Sequence, residues 1–205
     1  MHDYELIYFP ARGRAEHIRI LLALKGIPYR ETMPSDWPSQ KPKTPFGLLP
    51  ILIERGDDGE FSLAESGAIL RHLARRFDMY GSGARQHAMC DSLADFIADS
   101  RTKYIPIAYA ATFQTSPEAV AKYYEQLPQT LATLERALGR SQSPEAGWFI
   151  GDSVTFADVT AFDYLDGIEK LQPASLSDFP ALQGFVNRFR ALPALASFLA
   201  TRQRP

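Results

Sequence analysis

The chain changes character once along its 205 residues, and this change limits its possible folds more than any other feature. Up to about residue 77, segments that favour β-strands alternate with segments that favour helices. Beyond Ala84 the strand signals stop and long helical patterns follow one another. An α/β half followed by an all-helical half predicts two domains, which we expect over residues 1–78 and 84–205. Two glycines within Asp78–Gly83 mark the predicted linker.

The first half has the predicted order β-α-β-α-β-β-α. Its strand candidates are rich in aromatic and branched residues, and proline or glycine stands at their ends. Its helix candidates repeat apolar residues at helical spacing. The predicted strands are Tyr4–Phe9, Pro28–Thr32, Pro50–Glu54 and Glu60–Ala64, and the predicted helices begin at Arg14, near Ser35 and at Ser66.

Helical patterns fill the second half, at residues 91–109, 118–138, 156–170, 179–192 and 194–202. The sequence Thr155-Phe156-Ala157-Asp158 has the form of a capping box. In such a box the threonine side chain accepts a hydrogen bond from an unpaired amide and the acid reaches back to the cap residue. We therefore expect a helix to begin directly after Thr155.

Composition excludes several classes of function. The 22 basic and 24 acidic residues give a net charge of -2, so neither nucleic acid nor an anionic membrane is expected as a partner. One cysteine, Cys90, can form neither an intrachain disulfide nor a cysteine-based metal site. The four histidines are scattered, and no phosphate-binding glycine motif occurs. With no signal-like N-terminus and no long apolar run, a cytoplasmic location is expected.

A set of aromatic, charged and polar residues stands at or near the ends of the predicted elements of the first half. Taken singly, each has an ordinary structural interpretation, since a tyrosine at a strand end usually packs and Leu-Pro usually marks a turn. In chain order they are Tyr8, Arg14, Trp37, Lys41, Leu49, Pro50, Glu65 and Ser66.

Together these residues resemble the cytosolic glutathione transferases, and most closely the sigma-class branch that includes the glutathione-dependent prostaglandin D synthases. The resemblance covers essentially the whole chain. It implies a thioredoxin-like first domain that binds glutathione, an all-helical second domain, and no metal. The strings that carry it are Tyr8-Phe9-Pro10-Ala11-Arg12-Gly13-Arg14-Ala15-Glu16, Asp36-Trp37-Pro38, Pro45-Phe46-Gly47-Leu48-Leu49-Pro50-Ile51-Leu52, Glu65-Ser66 and Gly151-Asp152-Ser153-Val154-Thr155-Phe156-Ala157-Asp158.

The resemblance implies two catalytic residues. Tyr8 matches the tyrosine whose hydroxyl donates a hydrogen bond to the glutathione sulfur, and Arg14 matches an arginine that supports the tyrosine and the thiolate. A donor aimed at sulfur favours the charged form and so lowers the pKa of the thiol. The thiolate is the nucleophile, so this step is the one that the protein must supply.

The other matched residues are implied to hold the tripeptide. Trp37 and Lys41 match positions near the glycyl carboxylate. Leu49 and Pro50 match an Xaa-cis-Pro whose main chain meets the cysteinyl unit, and a cis bond is inexpensive only before proline. Glu65 and Ser66 match positions at the γ-glutamyl end.

Asp99 matches an aspartate that reaches the glutathione of a neighbouring subunit, which implies a homodimer. By position, Phe9, Arg12, Arg101 and Tyr104 are candidates for lining the electrophile pocket. For the arginines the alternative is that they are simply solvated. Phe46 is either an aromatic anchor to the partner subunit or an ordinary core residue.

The sequence departs from the sigma-class pattern at two positions, and it leaves three possible functions to be distinguished. Leu48 stands where sigma-class relatives often carry lysine, and Glu65 where closer relatives carry glutamine. The leading prediction is a transferase in detoxification that adds glutathione to small electrophiles. The alternatives are an isomerase of the prostaglandin D synthase type and a non-catalytic ligand-binding or structural relative.

Overall fold

The computed structural model describes residues 3–141 and 143–202. Two compact units are present. The first takes in the chain up to Met79 together with the segment from Leu192 onward, and the second runs from Tyr80 to Ala191. The predicted domains, residues 1–78 and 84–205, remain a proposal, and the ends of that proposal at 1–2 and 203–205 lie outside the described residues.

A four-stranded mixed sheet forms the centre of the first unit. Its strands are β1 (Asp3–Ile7), β2 (Arg30–Thr32), β3 (Ile51–Gly56) and β4 (Gly59–Ala64), in the spatial order β2-β1-β3-β4. The pair β1–β2 is parallel, whereas β1–β3 and β3–β4 are antiparallel. Tyr4 and Leu6 alternate inward on β1, as a strand with one buried face requires.

Helices α1 (Glu16–Leu24) and α3 (Ser66–Arg76) pack against each other in the first unit. Between β2 and β3 lie a short helix α2 (Trp37–Gln40) and a 3-10 turn (Lys41–Lys43). The order βαβαββα that the sequence predicts is thus confirmed. A 3-10 turn (Pro193–Leu195) contacts α1, and α9 (Ala196–Thr201) follows it.

The second unit is entirely helical in the residues described. It contains α4 (Gly83–Ala108), α5 (Ala110–Phe113), α6 (Pro117–Leu138), α7 (Phe156–Leu171) and α8 (Pro180–Arg190). Helix α7 packs on α4 and α8, and α6 also packs on both of those helices. Leucines at helical spacing on α6 supply part of this core.

Helix α7 is buried from Phe156 to Ile168 and carries three buried aspartates. A buried charge needs a partner, and each aspartate has one. Asp158 forms the predicted capping box with Thr155, which is confirmed. Asp163 accepts from Arg101 at 2.5 Å and Asp166 from Arg190 at 2.8 Å.

Three predicted boundaries were wrong. Helix α4 begins at Gly83, inside the predicted linker, because its first turns carry few apolar residues and gave no periodic signal. The predicted helix at 194–202 is divided into a 3-10 turn and α9. The first helix begins at Glu16 and not at Arg14, because residues up to Ala15 complete the turn that leaves β1.

Candidate functional site

Strand register brings three chain segments together at one end of the sheet in the first unit. Ile51 on β3 lies opposite both Ile7 on β1 and Ala64 on β4. Adjacent strands are only about 5 Å apart, so the residues directly beyond these pairs are neighbours. Those residues are Tyr8, Pro50 and Glu65.

Tyr8 is fixed at both its main chain and its hydroxyl. Its main-chain N–H donates to the carbonyl of Thr32 at 3.1 Å. The phenol oxygen accepts a hydrogen bond from the main-chain N–H of Arg14 at 2.9 Å. A phenol can accept and donate at once, so this contact leaves the hydroxyl proton available to a ligand.

Gly13 allows the close approach of Tyr8 to the loop. It has φ +44°, and a Cβ added there would lie 2.3 Å from the Tyr8 hydroxyl oxygen. No side chain fits at that distance, so the loop needs glycine for space as well as for its left-handed backbone. At the level of sequence Gly13 was only part of the matched string, and its role comes from the structure.

Arg14 lies in the turn before α1 and is exposed. Its main-chain N–H makes the contact to the Tyr8 hydroxyl described above. The helix-start position that the sequence predicted for Arg14 is therefore wrong, while its closeness to Tyr8 agrees with the resemblance. The role of its guanidinium toward glutathione stays a prediction.

Trp37 and Lys41 lie in the irregular segment after β2. Asp36 caps α2 by accepting from the main-chain N–H of Ser39 at 3.5 Å, and Trp37 is the first helical residue. The Trp37 ring lies perpendicular to that of Phe9, with 6.1 Å between centroids. Lys41 is exposed, and its aliphatic stem lies about 3.4 Å from where a Cβ of Gly47 would stand. The Lys41 side chain thus passes close to the main chain of Gly47.

The peptide bond between Leu49 and Pro50 is cis, as the resemblance implied. Glu65 has φ 71° and ψ 113°, a combination that costs a non-glycine residue about 1–3 kcal/mol. Such strain is concentrated at functional sites. Ser66 follows as the first residue of the eleven-residue helix α3, where main-chain N–H groups have no partner within the helix.

The predicted electrophile-pocket residues are divided between the two units. In the first unit Phe9 is 39% exposed and Arg12 is buried. In the second, Arg101 is 5% exposed and its guanidinium donates to Asp163. The structure thus contradicts the alternative that these arginines are solvated, whereas their part in a pocket stays a prediction.

Tyr104 and Asp99 belong to α4 in the second unit. The ring of Tyr104 packs edge-on against Tyr164 with 5.7 Å between centroids. Gly167 leaves room for its hydroxyl, because a Cβ there would lie 2.5 Å from that oxygen. Asp99 is exposed. Its predicted contact with a partner's glutathione stays a prediction.

Sequence reasoning missed Arg19, whose side chain is fully buried beneath the loop after β1. The signal available was a charged residue between Ile18 and Ile20 on an otherwise apolar stretch of α1.

Within residues 3–141 and 143–202, no three histidine, cysteine or acidic side chains are grouped so that they could hold a metal. In that same part of the chain no helix is long and apolar enough to cross a membrane.

Comparison with known proteins decides the family. The glutathione S-transferase N-terminal domain matches residues 4–75, and the C-terminal domain of the same family matches residues 98–202. A glutathione S-transferase of Dirofilaria immitis is 37% identical, covering 98% of this chain and 93% of that protein. Glutathione S-transferase P of Capra hircus is 34% identical with the same coverage. The chain belongs to the glutathione S-transferase family.

Solved structures agree with this membership. The Pi-class glutathione S-transferase of Onchocerca volvulus superimposes with a TM-score of 0.85 at 32% identity, over 97% of this chain and 93% of that one. The sigma-class enzyme of Fasciola hepatica gives 0.84 at 29% identity, over 100% and 98%. The predicted fold and the predicted function of a glutathione-conjugating transferase are confirmed. Neither the isomerase nor the non-catalytic alternative is favoured by these matches.

Proposed function

We propose that this glutathione S-transferase activates the thiol of glutathione at the end of the sheet where Tyr8, Pro50 and Glu65 meet. The observation that carries the proposal is the 2.9 Å hydrogen bond from the Arg14 main-chain N–H to the Tyr8 oxygen. Because this bond fills an acceptor position of the phenol, the hydroxyl is oriented and its proton can be donated to sulfur. Donation to the thiolate lowers the pKa of the thiol.

The thiolate then attacks a small electrophile. Its sulfur forms the new bond, and the leaving group departs with its electron pair. The thiol proton passes to solvent before the attack. Tyr8 and Arg14 are the proposed catalytic residues, with Arg14 adding positive charge at an exposed position near the anion.

The tripeptide is proposed to lie along the ends of the strands. The ammonium group of Lys41 is the proposed partner of the glycyl carboxylate, with Trp37 beside it. The main chain of Leu49, before the cis bond, is the proposed partner of the cysteinyl unit. Ser66 offers a hydroxyl and a main-chain N–H at the start of α3 to the γ-glutamyl carboxylate, and Glu65 is proposed to meet the amino group there.

In the first unit, Phe9 is a proposed contact of the second substrate, and in the second unit Tyr104 is a separate candidate for that role. Phe9 supports this because its ring is 39% exposed although it stands beside Tyr8, with 5.8 Å between ring centroids. Arg12 in the first unit and Arg101 in the second are proposed to act as buried charges and not as free cations, since both side chains are almost fully buried. A small apolar electrophile fits this description better than an anionic one.

The sigma-like class, a role in detoxification and a cytoplasmic location are narrower proposals. The class rests on the strings around Tyr8 and Pro50, while Leu48 and Glu65 depart from the sigma-class pattern. Conversion of a prostaglandin endoperoxide to a D-type product would support the class.

A homodimer is supported by two complementary features. Phe46 in the first unit is 67% exposed, so most of its ring is accessible to a partner. The second unit has a cavity of about 300 Å³ lined largely by apolar side chains of α4 and α6, among them Met89, Leu93, Phe96 and Leu134. Aromatic anchors in apolar pockets are the usual strong contacts of interfaces. We propose that Phe46 of each subunit enters this cavity of its partner, with Asp99 near the partner's glutathione.

The dimer is tested by sedimentation of the wild type, of Phe46→Ser, and of Phe113→Ser as a control at another exposed phenylalanine. We expect the wild type and the control to be dimers and Phe46→Ser to dissociate at micromolar concentration. A dimer unaffected by Phe46→Ser would remove the anchor from the proposal, and a monomeric wild type would remove the dimer.

The activation step is tested by titrating the protein with glutathione and following the ultraviolet absorbance of the thiolate against pH. The free thiol has a pKa near 8.5, and we expect the bound thiol to titrate about one to two units lower. S-methylglutathione, which cannot ionise at sulfur, is the control. Binding without a thiolate band, together with no conjugation of an activated aryl halide, would favour a non-catalytic relative instead.

A further inference from the structure

Arg19 is a fully buried cation in the middle of α1, and all three nitrogens of its guanidinium group have partners. Its Nε donates to Glu31 at 3.0 Å, and its Nη1 donates to Glu16 at 3.1 Å. Its Nη2 also bonds to Glu31. Burying an isolated charge is costly, so this double pairing is what makes the position tolerable.

The charge of Arg19 is held in place by these acids. Burial alone would lower the pKa of its guanidinium group. The hydrogen bonds and charges of Glu31 and Glu16 outweigh burial and raise it. Arg19 therefore stays a cation that links α1 to β2 at every accessible pH.

The remaining donors of Arg19 point at the loop that carries the candidate catalytic residues. Nη1 donates to the carbonyls of Ala11 at 2.9 Å and Arg12 at 3.3 Å, and Nη2 donates to the carbonyl of Phe9 at 3.4 Å. These three carbonyls belong to the connection between Tyr8 and Gly13. A planar fork with five N–H groups can hold several acceptors in fixed directions, which a lysine cannot do.

Arg19 also lies against Tyr8 itself. Its Cζ is 5.6 Å from the centroid of the phenol ring, within the range of a cation–π contact. The hydroxyl oxygen of the same side chain accepts a hydrogen bond from the main-chain N–H of Arg14. The ring of Tyr8 is thus in contact with Arg19 on its face, and its hydroxyl is bonded to the loop that Arg19 holds.

We propose that Arg19 is a positioning residue for thiol activation: by holding the loop carbonyls and the face of the Tyr8 ring, it sets the position of the Tyr8 hydroxyl relative to the glutathione sulfur. This inference rests on the proposed function of Tyr8. Arg19 itself touches neither glutathione nor the electrophile. Its contribution acts through Tyr8 and through the main-chain N–H of Arg14.

The test compares Arg19→Lys with Arg30→Lys, a control at an exposed arginine in an ion pair with Glu5. Lysine keeps the charge at position 19 but offers only three donors on a flexible stem, so it cannot hold the acid partners and the loop carbonyls together. We expect the bound thiol to titrate about one unit higher in Arg19→Lys, so that kcat/KM below that pKa falls about tenfold. The Kd for glutathione should change by less than about threefold, since the proposed binding residues are untouched.

A purely structural role would lower the urea midpoint and leave the titration of the bound thiol unchanged in the folded protein, and that result would overturn the proposal. If Arg19→Lys does not fold, Glu31→Gln serves as the second variant. It leaves Arg19 present but weakens the pair that orients it, and a smaller upward shift of the thiol pKa is expected. An unchanged thiol pKa in folded Glu31→Gln would also count against the proposal.

A double-mutant cycle separates this inference from the function on which it rests. If Arg19 acts through Tyr8, Arg19→Lys should not shift the thiol pKa further in the Tyr8→Phe background. A full additional shift there would show that Arg19 acts independently of Tyr8 and would overturn the inference alone. A bound thiol pKa that is not depressed in the wild type, or not raised by Tyr8→Phe, would overturn the proposed function itself.

Discussion

The main-chain N–H of Arg14 donates a hydrogen bond to the hydroxyl oxygen of Tyr8 at 2.9 Å. The bond joins residues that are six positions apart in the chain, so the end of β1 and the turn before α1 are tied at the phenol. Because the main chain is the donor, replacement of the Arg14 side chain leaves this bond in place. The hydrogen bond to the Tyr8 hydroxyl therefore does not depend on the Arg14 side chain.

Tyr8→Phe removes the donor to sulfur and keeps the ring. We expect kcat/KM for conjugation of an activated aryl halide to fall about a hundredfold, the usual loss when one donor to a developing or stabilised anion is removed. The Kd for glutathione should stay within about threefold of the wild type, because the other contacts to the tripeptide remain. Steady-state kinetics and calorimetric titration make the comparison, with Tyr124→Phe in the helical unit as the control. Wild-type turnover in Tyr8→Phe would remove Tyr8 from the mechanism.

Gly13→Ala tests the close approach of the loop to Tyr8. A Cβ at this position would stand 2.3 Å from the hydroxyl oxygen, so the phenol must move. Gly26→Ala is a matched control, because Gly26 has φ +61° and nothing lies within 4 Å of its added Cβ. Both variants should lose about 1–2 kcal/mol of stability from the left-handed backbone.

Of these two variants, only Gly13→Ala should also lose conjugation, by about tenfold or more, since a catalytic group displaced by an ångström acts poorly. Urea unfolding measures the loss of stability in both variants, and kcat/KM on the same preparations measures the loss of conjugation. Equal activity in the two alanine variants would show that the position of the Tyr8 hydroxyl does not matter to the rate.

The sequence allowed Tyr8 and Glu65 to be predicted, because each stands in a string with recognisable order and spacing. The strained backbone of Glu65 and the role of Gly13 were not predictable, since φ values and close approaches depend on how distant strands are paired. Arg19 was missed for the same reason. Its partners lie on β2 and in the loop before α1, and no periodic pattern joins segments that meet only after folding.

Cys90 should be nearly unreactive in the folded protein. The thiol is fully buried on α4, and burial raises its pKa to about 11, against a hydrogen bond with Thr155 that lowers it. The thiolate is the reactive species, so alkylation by iodoacetamide at pH 8 should be at least about a hundredfold slower than in denaturant. The chain has one cysteine, so mass spectrometry reads a single site. Equal rates with and without denaturant would show that the thiol is accessible.

Asp158 should contribute stability at low pH that is lost as the pH rises, which is the reverse of the usual behaviour of a carboxyl group. Burial raises the pKa of its carboxyl group to about 6, although the hydroxyl of Thr155 and the main-chain N–H groups of Phe149 and Thr155 donate to it. The folded state thus binds the proton more tightly than the unfolded state, where the pKa is near 3.8. The stability that this protonation adds is fully present below about pH 4 and is lost as the pH rises through about 6.

Asp158→Asn removes this titration and Asp152→Asn, at an exposed position before the same helix, controls for loss of a carboxylate. The difference in unfolding free energy between the wild type and Asp158→Asn should be larger at pH 4.5 than at pH 7.5, by at most about 3 kcal/mol. Urea unfolding at several pH values between these limits measures it. Asparagine cannot accept from both Phe149 and Thr155, so the variant should be less stable than the wild type at every pH in the series. A difference that grows as the pH rises would mean that the hydrogen bonds to the carboxylate outweigh its burial.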